Sequence, residues 1–401
     1  MSGRAKKLRV ALAVPQGLPF LERLLHGITD YARQEGGWAF TRLPEALGTS
    51  VEWLRHWSGD GAFVLIVTES DARAARRLRF PAVNLASHLP GTGLLTVVVD
   101  HGKIGELAAR HLLDRRFRRF GYYGAAGLWY SQLRRDGFRQ TVLTAGGSCQ
   151  VCEATSGARA RGRWRDQQRQ LETWLRSLHP PVGIMASTDL RAGMVLEACR
   201  SLGLKVPEQV AVIGVDNDPV FAEFNDPPLT SVSRNDHEVG VQAAAMLARL
   251  MRKGMTTRRT RVPRLVLVPP DGIVQRGSTA TVAIDDPVIH NAVHYIRDHI
   301  HENFGMKDLM NHVPLSRRAF EYRFRAALGR SPHHYINSVR IDVARHLLAD
   351  RRGLKLSAIA STCGFSSLQR FRLVFLRIAG KTPSDYRRYD RGSISTDASA
   401  L

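Results

Sequence analysis

Cysteine, long apolar runs and acidic residues are all in short supply in this chain, and each shortage removes a class of protein. Four cysteines in 401 residues cannot staple a secreted, disulfide-built fold. Cys149 and Cys152 form a C-x-x-C, but no second pair completes a zinc site, and the pair is expected in a polar loop without redox context. No apolar run approaches the roughly twenty residues of a membrane-spanning helix. The N-terminal "MSGRAKKLRVALAVPQG" carries the charge of a signal peptide, yet its apolar core is only "VALAV" before a proline. It reads instead as the first β-strand of a cytoplasmic protein. There is no Gly-x-Ser-x-Gly elbow, phosphate loop or metal-spaced cluster, which speaks against an enzyme, and no residue pattern calls for a cofactor.

Acidic residues number 36 against 58 Lys+Arg, a net charge of +22. Such a balance favours a polyanionic partner, nucleic acid before membrane. The charge is uneven. Residues 287–391 hold nineteen basic and eight acidic side chains, half of the net charge in about a quarter of the chain. A general richness in arginine does not explain that contrast.

Residues 8–277 alternate short apolar runs with helical patterns. "LRVALAV", "GAFVLIV", "AVNLA", "LTVVVD", "RFGYYG", "VGIMAST" and "VAVIGVD" are the strands, with helices expected near 20–35, 71–78, 102–113, 130–145 and 190–202. Near-continuous apolar strands between helices imply parallel sheets covered on both faces. Open sheets of this kind bind ligands at the carboxyl ends of their strands. Asp100, Thr188, Asp189, Asp216 and Asn217 sit at such ends. Converging carboxylates and amides suit a polyhydroxylated ligand, since each can engage two hydroxyls. For Asp189 an N-cap role competes with ligand contact. Phe20 and Trp129 could stack on a sugar face or belong to the core.

The C-terminal third repeats itself. "KLSAIASTCGFSSLQRFRLVF" (355–375) holds two short helical patterns joined at Gly364-Phe365, and "MKDLMNHVPLSRRAFEYRF" (306–324) matches it about fifty residues upstream. Both units turn apolar residues inward at i, i+4 and arginines outward. A Gly-x-[Ser/Thr]-Pro follows each, at 329–332 and 380–383, where Gly ends one helix and Pro opens the next. Pro314 stands where the second unit has Gly364, so the first turn must take another shape. A connecting helix from His333 to about Ala349, roughly 25 Å long, can set two recognition helices into successive major grooves about 34 Å apart.

The first recognition helix is expected from Ser316 to Leu328, with Arg317, Arg318, Glu321, Tyr322 and Arg325 outward. Arg318, Glu321 and Tyr322 are its base-reading candidates. The second is expected from Ser367 to Ile378, with Ser367, Leu368, Gln369, Arg370 and Arg372 outward or near the tip, and Gln369 suited to adenine. Any single arginine here serves equally well as a phosphate contact. His290, His294, His299, His301 and His312 lack a matching acid or cysteine, and are read as surface or groove-lining. Residues 278–286, small and polar, form the expected linker, and 392–401 a disordered tail.

Two resemblances rest on these motifs. "VVVDHGKIGELAARHLLDRRFRRFGYYG", "SQLRRDGF", "IMASTDLRAGMVLEACRSLGLKVPEQVAVIGVDN" and "PLTSVSRNDHEVGVQAAAMLARLM" resemble the sensor module of LacI/GalR regulators over most of 8–277. That implies an α/β periplasmic-binding-protein-like fold of type I, two doubly wound subdomains around a ligand cleft, linked by three crossovers. The family's arginine before its Gly-aromatic pair falls on Arg134, its strand-end acid on Asp216, and its Asn-Asp before the helix on Thr188-Asp189. The LacI-type N-terminal headpiece is absent, because the sheet begins by residue 8. Residues 287–388 resemble the all-α double helix-turn-helix domain of the AraC/XylS family, in "GRSPHHYINSVRIDVARHLL", "IASTCGF" and "GKTPSDYRR".

The combination, with "ASTDLRAGMVLEAC", "LVPP" and "HYIRDH", resembles regulators of pentose operons. It implies a one-component transcription regulator, an activator rather than a repressor. D-xylose is the first expected effector and another sugar or metabolite the next. Double-stranded operator DNA, RNA polymerase and a second copy in a homodimer are the expected partners, and no membrane. A sugar-active enzyme and an exported sugar-binding protein are the alternatives, told apart by turnover and by export.

Overall fold

The computed structural model describes residues 7–15, 17–42, 51–155, 164–253, 265–281, 283–284, 286–349 and 354–387. The tail expected at 392–401 lies outside them. The chain divides into two units, 1–283 and 284–401.

In the first unit, Leu8–Ala13 (β1) leads through Pro19–Glu35 (α1) to Trp38–Arg42 (β2), Gly61–Val64 (β3), Glu69–Ala75 (α2), Ala82–Asn84 (β4) and Leu95–Val99 (β5). Next come His101–Asp114 (α3), Arg119–Ala125 (β6), Trp129–Thr144 (α4), Ser148–Ala154 (β7), Trp164–Ser177 (α5), Val182–Ala186 (β8), Asp189–Ser201 (α6), Val210–Val215 (β9), Pro219–Phe224 (α7) and Thr230–Ser233 (β10). Asp236–Arg252 (α8), Leu265–Val268 (β11) and Gly272–Val274 (β12) complete the unit.

Two six-stranded sheets result, ordered β11-β5-β4-β3-β1-β2 and β12-β10-β9-β8-β6-β7. All neighbours run parallel except β10 and β12. The chain therefore passes between the sheets after β5, after β10 and after β11, the three crossovers that the resemblance implies. The inner strands are buried along their length because both sheet faces carry helices: Ala62, Phe63 and Val64 of β3 are wholly buried, as are Val212 and Ile213 of β9, whereas the edge strands β2, β7, β11 and β12 are only partly covered.

Two helix pairs pack backbone to backbone. In the pair α3–α4, a Cβ on Gly105 would lie 2.2 Å from the Arg134 carbonyl oxygen, and one on Gly137 would lie 2.2 Å from the Gly102 oxygen. That close approach fixes where α4 carries Arg134.

Cys149 and Cys152 lie on β7 and not in a loop as expected. Three residues apart on a strand, they point to opposite faces, and both thiols are free and pushed up to about 11 by burial. Ser278 and Thr279, expected in the linker, are buried in the first unit; the Ser278 hydroxyl donates to the Val212 carbonyl at 2.6 Å.

The second unit is helical: Pro287–Asp298 (α9), Met306–Met310 (α10), Arg317–Leu328 (α11), Pro332–Ala349 (α12), Leu356–Thr362 (α13) and Leu368–Ala379 (α14). Gly329 and Gly380 end α11 and α14 in the left-handed conformation, both at φ 72°, and Pro332 opens α12. Each helix-turn-helix has its own core. One surrounds Phe320 and Phe324, the other Phe371 and Phe375, and all four are fully buried. The turns differ as the Pro314 substitution demands: Gly364 sits at φ 69°, whereas no residue of 311–315 has a positive φ.

Candidate functional site

The carboxyl ends of both sheets in the first unit enclose a cavity of about 430 Å³, within the range of small-ligand sites. The loops after β1, β3 and β4, with the first turn of α1, give it an apolar wall that includes Leu18, Phe20, Leu65 and Leu85. The opposite wall is polar: Tyr130, Arg134, Thr188, Asp216 and Arg234, with His88 and His101 at the side. An amphipathic lining of this kind matches a sugar ring, which offers hydroxyls at its rim and C–H faces to aromatic or aliphatic surface.

Asp216 is the polar focus. Its Oδ1 lies 3.8 Å from Arg134 Nη2 and 3.4 Å from Arg234 Nη1. Burial raises its carboxyl above the ordinary value, and the two arginines pull it back. It follows the last residue of β9 at φ 117°, a conformation costly for a side chain other than glycine and frequent at functional sites. Arg134 is almost wholly buried. It donates to the Ser187 carbonyl and, through Nε at 3.2 Å, to His101 Nδ1, and it lies over the Tyr130 ring. Burial, and then Arg134, hold His101 well below the usual histidine value. The ring is therefore neutral; since Nδ1 accepts from Arg134, its proton sits on Nε2. Arg234 lies over the Phe20 ring at 4.5 Å and pairs with the buried Asp236 at 3.0 Å.

Arg23 ties the two subdomains together. From α1, on the first sheet, it donates to the Asp216 main-chain carbonyl at 2.8 Å and pairs with Asp236 at 2.9 Å. Main-chain bonds from Tyr130 to Ser87 (2.8 Å) and from Trp129 to His88 (3.1 Å) join the other side of the cleft.

Of the side chains expected here, Phe20, Arg134, Thr188 and Asp216 line the cavity. Four do not. Asp100 caps α3, accepting from the Lys103 amide at 2.9 Å. Asp189 is not the cap of α6 and does not line the cavity: Thr188 caps the helix, and Asp189 is buried against the Ser231 hydroxyl (2.6 Å) and the Asp218 amide (2.9 Å). Asn217 Oδ1 accepts from Arg276 at 2.8 Å. Trp129 yields its place to Tyr130, the next residue along the helix. Sequence reasoning missed Tyr130, Arg234, His88 and His101; Tyr130 and His101 stand beside residues that it did consider, Trp129 and Asp100, whereas His88 and Arg234 follow β4 and β10 without such a neighbour.

In the second unit, Arg317, Arg318, Tyr322 and Arg325 of α11 and Gln369, Arg370 and Arg372 of α14 are exposed, as expected. Three expected readers are occupied otherwise. Glu321 pairs with Arg317 at 2.9 Å, the Ser367 hydroxyl caps α14 by accepting from the Arg370 amide, and Leu368 packs on the core. Two large apolar side chains of α14 that were not anticipated, Leu373 and Leu376, are exposed. The histidines are less uniform than expected. His299 and His312 stack on either face of Tyr295, at 4.1 and 4.2 Å, and His294 has an acidic partner after all, Asp298 at 3.1 Å.

Comparison with known proteins agrees with this division. Residues 109–279 match the periplasmic binding protein-like domain and 309–389 a helix-turn-helix domain. The xylose operon regulatory protein of Escherichia coli K12 is 29% identical over 392 residues, 95% of this chain and 97% of that protein. Its counterpart in Haemophilus influenzae is 30% identical over 295 residues, 73% of this chain and 74% of that protein. The chain belongs to the xylose operon regulatory protein family. A solved structure of a xylose-binding transcription activator, xylR, is 28% identical, with a TM-score of 0.72 over 96% of this chain and 99% of that one. A member of this family is a sensor joined to a DNA-binding pair of helix-turn-helix units, and both parts are present here. Among the described residues no helix is long and apolar enough to cross a membrane.

Proposed function

We propose that the chain is a D-xylose-responsive activator of a xylose operon, acting in the cytoplasm as a homodimer. The observation that carries this reading is Asp216, held between Arg134 and Arg234 in a cleft with Phe20 and Tyr130. Its carboxylate accepts from sugar hydroxyls, the arginines and the His101 Nε2–H donate to them, and the aromatic and aliphatic wall takes the C–H face of the ring. Likeness along the full chain to proteins named for xylose selects that sugar from others of its size. Bound sugar adds contacts that exist only when both walls meet, so it shifts the population toward the closed cleft. The helix-turn-helix pair then engages operator DNA in a changed dimer arrangement and presents RNA polymerase with a promoter-bound partner. Catalysis has no part in this cycle.

A thermal-shift series with D-xylose, L-arabinose, D-ribose, D-glucose and L-fucose tests the reading. A ligand at a hundredfold its Kd stabilises the folded state by about 2.7 kcal/mol. Stabilisation by D-xylose alone is the expected result; none with D-xylose overturns the assignment.

A further inference from the structure

The two recognition helices carry the same anomaly at the same place. Tyr322 is the sixth residue of α11 and 77% exposed; Leu373 is the sixth residue of α14 and 63% exposed. Each follows a fully buried phenylalanine, Phe320 or Phe371, by two positions, which turns it about 200° around the helix, directly away from the core. A large apolar side chain on that face is costly in water unless a partner covers it. Chance would not place one at the matching position of both repeats.

The surroundings say what covers it. Arg318 and Arg325 flank Tyr322, and Arg370, Arg372 and Arg377 surround Leu373, all exposed. A rim that is strongly cationic suits a phosphate backbone and disfavours an apolar protein partner or a second copy of the same basic helix. The apolar feature that double-stranded DNA offers in its major groove is the C5 methyl of thymine.

We propose that Tyr322 and Leu373 read thymine through its methyl group, one in each half of the site that the two helix-turn-helix units of one protomer bind. The arginines supply affinity, and the two apolar side chains supply discrimination at one A·T pair per half-site, at corresponding positions. The inference rests on the DNA-binding reading and adds a specificity code to it.

Deoxyuridine substitution tests it, because it removes the methyl and leaves base pairing and hydrogen-bonding edges intact. The full-length protein is titrated against an operator fragment selected from random duplex, with each thymine replaced in turn. Two positions in the stretch bound by each protomer, one under each helix-turn-helix unit, are expected to weaken binding about fourfold, the order expected for one methyl-sized apolar group. Leu373→Ala is expected to abolish the effect at one position and Tyr322→Ala at the other. Tyr322→Phe, which keeps the ring and drops the hydroxyl, retains it. Both side chains are exposed, so the variants leave the cores untouched. Tight binding with no sensitive thymine, or sensitivity that survives both alanine variants, overturns the proposal and leaves DNA binding standing. Failure to select any duplex overturns DNA binding as well.

Discussion

The Arg340 guanidinium lies over the Phe365 ring, 5.6 Å from its centroid, and so joins the helix between the two helix-turn-helix units to the turn of the second. It also covers Phe304, at 5.2 Å, and donates to the main-chain carbonyls of Glu302 (2.9 Å) and Phe304 (3.1 Å), at the entry to the first unit. Gly364 completes the contact: a Cβ there would fall 2.4 Å from the Glu302 oxygen and 2.7 Å from the Ile300 oxygen. His301 Nδ1–H donates to the Thr362 carbonyl at 2.9 Å and adds a further tie to the second unit. The two DNA-reading units are thus clamped into one body, and the distance between α11 and α14 is set before DNA is met.

Arg340→Met removes both hydrogen bonds and the charge over the rings while keeping much of the volume. Two carbonyls, that of Phe304 buried and that of Glu302 partly so, lose their donor, so the helical unit is expected to lose about 2–3 kcal/mol, read as a lowered urea midpoint. The informative readout is binding. Affinity for a two-half operator should fall more than affinity for one half-site, because a loosened clamp returns the orientational entropy that rigidity had removed. Equal losses on both duplexes would mean that Arg340 only stabilises the fold.

Asp216→Asn and Arg134→Met address the cleft. Asn keeps the shape of the strand end but removes the charge between two arginines; Met keeps length but donates nothing to Ser187 or His101. Both are expected to eliminate the thermal shift with D-xylose while leaving sugar-free DNA binding within about twofold, since energetic coupling to DNA runs through the ligand. A normal dose response in either variant would remove that residue from the sugar site.

How much of this was open to the sequence follows from the range of the interactions. Strand-end residues such as Asp216 and helix caps are local, so periodicity and turn chemistry place them within a residue or two. Choosing between Trp129 and Tyr130 needs the direction of one helix start, which depends on main-chain bonds to Ser87 and His88 some forty residues earlier. Asp189 looked like a cap or a ligand contact because its partners, Ser231 and Asp218, come from β10 and from the start of α7, 42 and 29 residues away. Arg23 left no trace: its contacts to Asp216 and Asp236 span 193 and 213 residues. In the second unit the repeat exposed both helix pairs, while the occupation of Glu321 by Arg317 needed coordinates.

Arg23→Ala separates closure from ligand contact. Arg23 donates across the cleft from α1 to the end of β9, and is held in place by Asp236 at the start of α8, the helix packed beside α1. Losing those bonds favours the open cleft, so the apparent affinity for D-xylose should fall about tenfold, the equivalent of one charge-assisted hydrogen bond. The maximal response at saturating sugar should persist, since Asp216 and Arg134 remain. A lowered maximum with unchanged affinity would contradict a role in closure.

Asp189 gives the sensor a dependence on pH that can be checked without ligand. Burial, and then the nearby Asp216 charge, raise its carboxyl from the ordinary 3.8 to about 7. A carboxyl raised in the folded state binds its proton more tightly there than in the unfolded chain. Its contribution is therefore fully present below about pH 4 and is lost as pH rises through about 7. Asp189→Asn keeps an acceptor for the Asp218 amide and sets an N–H toward Ser231, resembling the protonated acid without its titration. The variant is expected to match the wild-type stability near pH 4, to exceed it increasingly up to about pH 7 by an amount on the order of a few kcal/mol, and to level off above that. Gly214 leaves the space that the Asp189 carboxyl fills: a Cβ there would fall 2.2 Å from Asp189 Oδ1. A difference in melting temperature that stays constant from pH 5 to 8 would show that Asp189 is ionised throughout, held by its two donors despite its burial.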